Sequence, residues 1–223
     1  MNPVVLRLTD LHKDFAEPDG VLHVLRGLTA AIPRGEITMI MGPSGSGKTT
    51  LLQIAGCLIR ATRGRVEILG KDLSRASEAE RLHSRRDHLG FVFQNFHLVG
   101  ALTVYDNVAL GLRLRRRPVE ADRIRDILDR LGIGPKARKL PKDLSGGEKQ
   151  RTAIARGLVG TPDLLLADEP TSQLDSNSAE SVCRLLREAV DQYQPAVLLA
   201  THDPRIAEIA DRTLTLEGGD IRE

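Results

Sequence analysis

Short apolar runs set the rhythm of the N-terminal part of the chain. Val4–Leu8 (VVLRL), Leu28–Ile32 (LTAAI) and Ile37–Met41 (ITMIM) alternate or are wholly apolar and too brief for helices, so they predict strands. Pro33–Glu36 supplies a turn before the last of them. After Met41 the pattern changes. A glycine-rich stretch leads into Leu51, Leu52, Ile54, Ala55 and Leu58, whose spacing predicts a helix over 48–58 packed on a sheet. Arg65–Gly70 and Leu89–Phe93 read again as strands. From about Phe96 to Gly160 strand signals nearly vanish. Thr103 is an N-cap for one helix, and a second after Pro118 carries Ile124, Ile127, Leu128 and Leu131 at helical period before stopping at Gly132. Strands and helices then alternate again: Asp163–Asp168 (DLLLAD), a helix over Ser178–Tyr193, Ala196–Ala200 (AVLLA), and a terminal hairpin over Arg212–Ile221 turning at Gly218 and Gly219. This order predicts an α/β fold with a largely parallel sheet, interrupted by a helical insertion. The expected organisation is one domain over 1–223, with an α/β core made of 1–95 and 161–223 and a helical subdomain at 96–160.

Composition narrows the class. Across 223 residues, 41% are hydrophobic, enough for one sizeable core with a smaller subdomain attached. Charged residues make up 28% with both signs mixed, and the net charge of +2 is not the balance of a dedicated nucleic-acid binder. Cys57 and Cys183 lack any zinc-ligand spacing and read as buried thiols in a reducing compartment. No run approaches the roughly 18 apolar residues of a membrane span, and charges from Arg7 onward argue against a signal peptide. The expectation is a cytoplasmic chain; if it works at a membrane, another chain supplies the spanning segments. Two basic clusters, Arg113–Arg117 (RLRRR) and Ser84–His88 (SRRDH), read as solvated helix ends, with acidic lipid headgroups or a partner as the alternative.

Three strings carry chemistry. Gly42–Thr49 (GPSGSGKT) fits G-x-x-x-x-G-K-[ST]. Gly42, Pro43, Ser44, Gly45, Ser46 and Gly47 let backbone N–H groups turn inward around an anion, and the helix that follows aims its positive end at the same point. Lys48 can reach the outer phosphates, the Thr49 hydroxyl can ligate Mg²⁺, and Thr50 completes the loop. In LLLADEP, Asp168 ends a buried strand and is the second group for Mg²⁺. Glu169 follows it as the candidate general base for an attacking water. In LSGGEKQR, the amides of Ser145, Gly146 and Gly147 lead into a helix at Glu148 and make a second anion site, about a hundred residues from the first. Two copies arranged head to tail would bring the second element of one over the nucleotide of the other.

In this order the three strings resemble the nucleotide-binding subunit of an ATP-binding cassette (ABC) transporter, and the resemblance spans essentially the whole chain. It implies further roles. Phe15 stands where the family stacks an aromatic on adenine, and Gln94 (FVFQNF) matches the glutamine that senses Mg²⁺ and the transmembrane partner. Ser172–Asp175 (SQLD) matches the D-loop, which brings in Asp175, and His202 (ATHD) matches the switch histidine near the γ-phosphate. The implied fold is a P-loop NTPase core with a mostly parallel sheet, an N-terminal antiparallel β subdomain and the inserted helices. The implied cofactors are ATP and Mg²⁺. The implied partners are a separate transmembrane permease subunit and a second copy of the chain, with no nucleic acid, at the cytoplasmic face of the inner membrane. The segment Phe15–Gly27 and the tail Thr201–Ile221 look most like the lipoprotein-releasing, macrolide-export and glycolipid-export subgroup of bacteria. Three positions depart from the family pattern: Glu148 for glutamine, Gln173 for alanine and Phe15 for tyrosine. The rival is a soluble ABC ATPase of DNA-organising, repair or translation type. The interval from Thr50 to Leu144 has no sustained heptads and is interrupted by Pro118 and Pro141, and the chain carries one cassette, which disfavours it.

Overall fold

The structure, a computed structural model, describes residues 2–18 and 20–222. Residue 19, within the segment 15–27 singled out above, lies outside the described residues. In chain order the strands and helices are β1 (Val4–Glu17), β2 (Gly20–Pro33), β3 (Ile37–Met41), α1 (Lys48–Ala55), β4 (Arg63–Ile68), β5 (Lys71–Asp72), α2 (Glu78–His88), β6 (Leu89–Val92), α3 (Val104–Leu114), α4 (Ala121–Arg130), α5 (Gly146–Leu158), β7 (Leu164–Asp168), α6 (Ser176–Tyr193), β8 (Ala196–Ala200), α7 (Pro204–Ala207), β9 (Arg212–Glu217) and β10 (Asp220–Arg222).

Two sheets organise them. A four-stranded antiparallel sheet has the order β2-β1-β4-β5. A six-stranded sheet has the order β10-β9-β3-β8-β7-β6, parallel throughout except for the β9–β10 hairpin. The β7 and β8 strands read as continuous apolar runs because both faces of this sheet are covered. Leu165, Ala167, Val197 and Leu199 pack with α3, α5 and α6 on one face, through Val108, Ile154 and Leu186. Leu164, Leu166, Ala196 and Leu198 face the other way, onto α1 and the antiparallel sheet, through Leu51, Ile54, Leu6 and Ile32. The period-2 geometry of a strand thus splits one run of leucines between two cores.

Several elements depart from the apolar pattern. The β1 and β2 strands are 14 residues each, well beyond the apolar runs that announce them. Their outer halves pair with each other, Asp14 opposite His23 and Phe15 opposite Leu22, where backbone ladder bonds and not burial hold the ribbon. The α2 helix has no apolar stripe: Leu82 is exposed, and Arg81 and Ser84 are its buried residues. A reciprocal cap starts it, with Ser77 Oγ accepting from Glu80 N–H and the Glu80 carboxylate accepting from Ser77 N–H. The two basic clusters are only partly solvated ends: Arg113, Arg116 and Arg117 are exposed, but members of both clusters are tied to the fold. Arg115 is buried and donates to the carbonyls of Asp87 and Leu89, and Arg117 donates to Gly160 O. Arg85 donates to Cys57 O and Glu78, Arg86 pairs with Asp87, and His88 lies 2.8 Å from Asp163. Arg85, Arg115 and Arg117 thus donate to backbone carbonyls at the ends of elements, while Arg86 and His88 pair with carboxylates. Both cysteines are buried and unpaired.

Candidate functional site

Parallel strands place their C-terminal ends on one edge, and the candidate residues collect there. β3 runs into the 42–47 loop, β7 ends at Asp168, β8 is followed by Thr201 and His202, and β6 leads to Gln94. In the loop, Gly42, Gly45 and Gly47 have φ of 153°, 80° and 102°. A Cβ on Gly42 would sit 2.3 Å from Leu216 O, and one on Gly47 2.9 Å from Val24 Cγ1. Both positions therefore demand glycine for space as well as for φ. Lys48 opens α1 and folds back, its Nζ donating to Gly42 O at 2.7 Å and Pro43 O at 3.0 Å.

Across the cleft, Thr49 Oγ1 donates to Asp168 Oδ2 at 3.0 Å. Burial pushes the Asp168 carboxyl above the ordinary carboxylate value, against the pull of the Thr49 bond and of Lys48, and Glu169 beside it adds to the upward push. A half-buried carboxylate next to a hydroxyl, with an adjacent carboxylate raising its cost, is an oxygen set suited to a hard divalent cation such as Mg²⁺. Glu169 itself holds φ of 46°, a strained value for a residue with a side chain. Its N–H donates to Ala200 O, and its side chain is held at both oxygens. The hydroxyl of buried Thr201 donates to Oε2 at 2.9 Å, and His202 Nδ1 lies 2.9 Å from Oε1. The His202 ring is exposed while the Glu169 carboxylate is mostly covered.

These groups border one cleft of about 760 Å³, lined by Phe15, Gly42, Pro43, Ser44, Gly45, Gly47, Lys48, Thr49, Thr50, Gln94, Asp168, Glu169 and His202, with Leu22 and Val24 beside Phe15. Ser46 lies inside the loop, its N–H on Pro43 O. Phe15 is exposed, with Lys13 Nζ 4.6 Å from its ring centroid. Gln94, Thr49 and Asp168 also border a second groove of about 220 Å³ containing Leu52, Leu58, Phe91, Phe93 and His97.

The remaining candidates sit elsewhere. Ser145 caps α5, accepting from Glu148 N–H, and the Glu148 carboxylate accepts from Ser145 N–H and pairs with Lys136 at 3.0 Å. The Ser145 amide bond, with Lys136, holds the Glu148 carboxyl below the usual range. The departure from glutamine at 148 is thus absorbed by a capping box. Gly146 and Gly147 form the first turn of α5, against Gln173 O and Ser178 Oγ. Asp175 caps α6 by accepting from Ser178 N–H at 3.0 Å. None of Ser145, Gly146, Gly147 or Asp175 lines the 760 Å³ cleft within one chain.

A family model described as ABC transporter matches residues 25–172. The chain belongs to the ABC transporter family. This cassette is 40% identical over 222 residues to the lipoprotein-releasing system ATP-binding protein LolD of Shewanella oneidensis, covering 98% of this chain and 96% of that protein. It is 42% identical to LolD 1 of Rhodospirillum rubrum, with 99% of both chains covered. The macrolide export ATP-binding/permease protein MacB of Escherichia coli O157:H7 is 38% identical over 99% of this chain but only 34% of its own length. Among solved structures, the dimeric post-hydrolysis state of the cassette MJ0796 bound to ADP and Pi superposes with a TM-score of 0.90 at 35% identity, covering 98% of this chain and 97% of that one. The cassette is an ATP-binding, ATP-hydrolysing transporter subunit, and these relatives do not favour the soluble alternative. Among the described residues, no helix is long and apolar enough to cross a membrane.

Three residues were not foreseen from the sequence: Leu22 and Val24, which line the cleft, and buried Thr201, which holds Glu169 from behind it. Thr201 sits between two recognised residues, Ala200 of the apolar run and His202, and a hydroxyl directly after a strand end was the available signal. Leu22 was legible only through its register opposite Phe15.

Proposed function

We propose that two copies of this cassette sandwich ATP and drive a separate transmembrane permease subunit at the cytoplasmic face of the membrane, exporting a substrate or extracting it from the bilayer. The observation that carries this reading is the convergence of Lys48, Asp168 and Glu169 on one cleft, with the Glu169 carboxylate held from both sides. In this reading Phe15 offers a face to the adenine, and the 42–47 amides, Lys48 and Thr50 hold the phosphates. Thr49, Asp168 and Gln94 would hold Mg²⁺, which neutralises phosphate charge when bound. Glu169 accepts the proton of the attacking water at its carboxylate, and His202 orients that carboxylate and faces the γ-phosphate. Ser145, Gly146, Gly147 and Asp175 act on the nucleotide of the second copy, which accords with their position outside the cleft of their own chain. The segment 96–160 is the unit that moves with the nucleotide state, and the groove beside Gln94 receives the permease. Nucleic acid has no part in this reading.

Two experiments test it. Lys48→Ala should weaken ATP binding about 10- to 100-fold, the value of charge-assisted contacts to phosphate, by isothermal titration. Unchanged affinity would overturn the cleft assignment. Glu169→Gln, loaded with ATP and Mg²⁺, should co-purify a polytopic membrane protein from detergent-solubilised native membranes. Recovery of nucleic acid or soluble partners alone would overturn the transport assignment.

A further inference from the structure

The segment 94–97, the turn 172–175 and helix α5 touch one another in a closed ring. Gln94 borders both the nucleotide cleft and the adjoining groove, and the next three residues are each held by another element. Asn95 Oδ1 accepts from Gln173 Nε2 at 2.9 Å. Phe96 and His97 both sit at positive φ, 57° and 45°, and both carbonyls accept from the Arg156 guanidinium of α5. The ring closes at the start of α5, where a Cβ on Gly146 would lie 3.3 Å from Gln173 O. The turn is in turn tied to the candidate base, because Ser172 Oγ donates to Glu169 O at 3.0 Å and Ser172 N–H donates to the same carbonyl. An unbroken path thus runs from the groove through Asn95, Gln173 and Ser172 to the strained backbone of Glu169. The alanine that the family pattern leads one to expect at 173 has no donor with which to make it.

We infer that Gln173 is a positioning residue, whose bond to Asn95 fixes the turn after Glu169 relative to the groove beside Gln94 and so sets the Glu169 carboxylate for hydrolysis. This rests on the role proposed above for Glu169. Neither side chain lines the nucleotide cleft, so the effect falls on the chemical step and not on binding. Arg156 holds the same segment through its backbone, which keeps the fold intact when the side-chain bond is removed.

The test is steady-state ATP hydrolysis by the full chain, with melting temperatures as a control. Gln173→Ala and Asn95→Ala should each lower kcat about two- to tenfold, the range of one net hydrogen bond, with KM for ATP unchanged. The double variant should be no slower than the slower single, because both remove one interaction. Asn95→Asp, which keeps an oxygen for Gln173 Nε2, should retain the wild-type kcat. Losses that multiply in the double variant, an equal change in KM, or wild-type kcat in both singles would overturn the inference. So would a loss confined to Gln173→Ala, which would place its action across the interface with the second copy. If the wild-type chain shows no ATPase that Lys48→Ala abolishes, the cleft reading fails first; if that control behaves and the variants do not, only the link fails.

Discussion

Replacing Glu169 with glutamine isolates the proposed base from its scaffold. The carboxylate accepts one bond from buried Thr201 and meets His202 at the other oxygen, both at 2.9 Å. A glutamine can turn its oxygen to Thr201 and its amide N–H toward His202 Nδ1, so the side chain keeps its place and the φ of 46° is untouched. Folding stability should therefore shift by less than about 1 kcal/mol. The amide cannot accept the proton of water. Loss of a positioned general base lowers kcat by about 10² to 10⁴, which is about 3–5 kcal/mol of transition-state stabilisation. ATP affinity should hold or rise, since a carboxylate facing the phosphates repels them. Single-turnover hydrolysis measures the first effect, equilibrium binding the second, and light scattering with ATP follows the dimer that accumulates when hydrolysis stalls. His202→Ala should cost less, about tenfold, because Thr201 still holds one oxygen. A Glu169→Gln rate within threefold of wild type, or a His202→Ala defect larger than that of Glu169→Gln, would refute the assignment of the base.

Three further outcomes follow from packing and charge. Gly42→Ala should destabilise the fold by about 1–3 kcal/mol in urea denaturation, because its Cβ meets the Leu216 carbonyl at 2.3 Å and that atom is backbone; an unshifted midpoint would contradict the loop geometry. Asp203 caps α7 and is bonded by Arg205, which holds its carboxyl at about 2; stability from this group is complete above about pH 4 and lost as pH falls toward 2, worth roughly 2 kcal/mol. Asp203→Asn should therefore be less stable at neutral pH and flatter through that acid window, and parallel curves for the two proteins would refute the linkage. Burial raises both thiols, Cys183 to about 11, so neither should react with a disulfide reagent at pH 8 until denaturant is added; fast labelling of the native chain would contradict the packing.

What the chain announces about itself is what short-range physics determines. Apolar runs bounded by turn residues mark β3, β7 and β8, because a strand buried on both faces has no polar side to alternate with. The phosphate loop is legible because only glycine tolerates the φ values and the close approach of Leu216 and Val24. Other features were invisible to periodicity. The α2 helix carries almost no apolar residues, and its start went unread in the sequence; the capping box of Ser77 and Glu80 emerges only in the structure. The arginines of RLRRR all look like surface in the sequence, yet the fold buries Arg115 against the Asp87 and Leu89 carbonyls and sets Arg117 on Gly160 O. Tertiary structure alone decided that Thr201 and His202 grip one carboxylate and that Asn95 meets Gln173, 78 residues away. Local propensity specifies elements because it acts over a turn or a pleat, whereas a hydrogen bond between distant side chains exists only after the parallel sheet has set which strand ends share an edge.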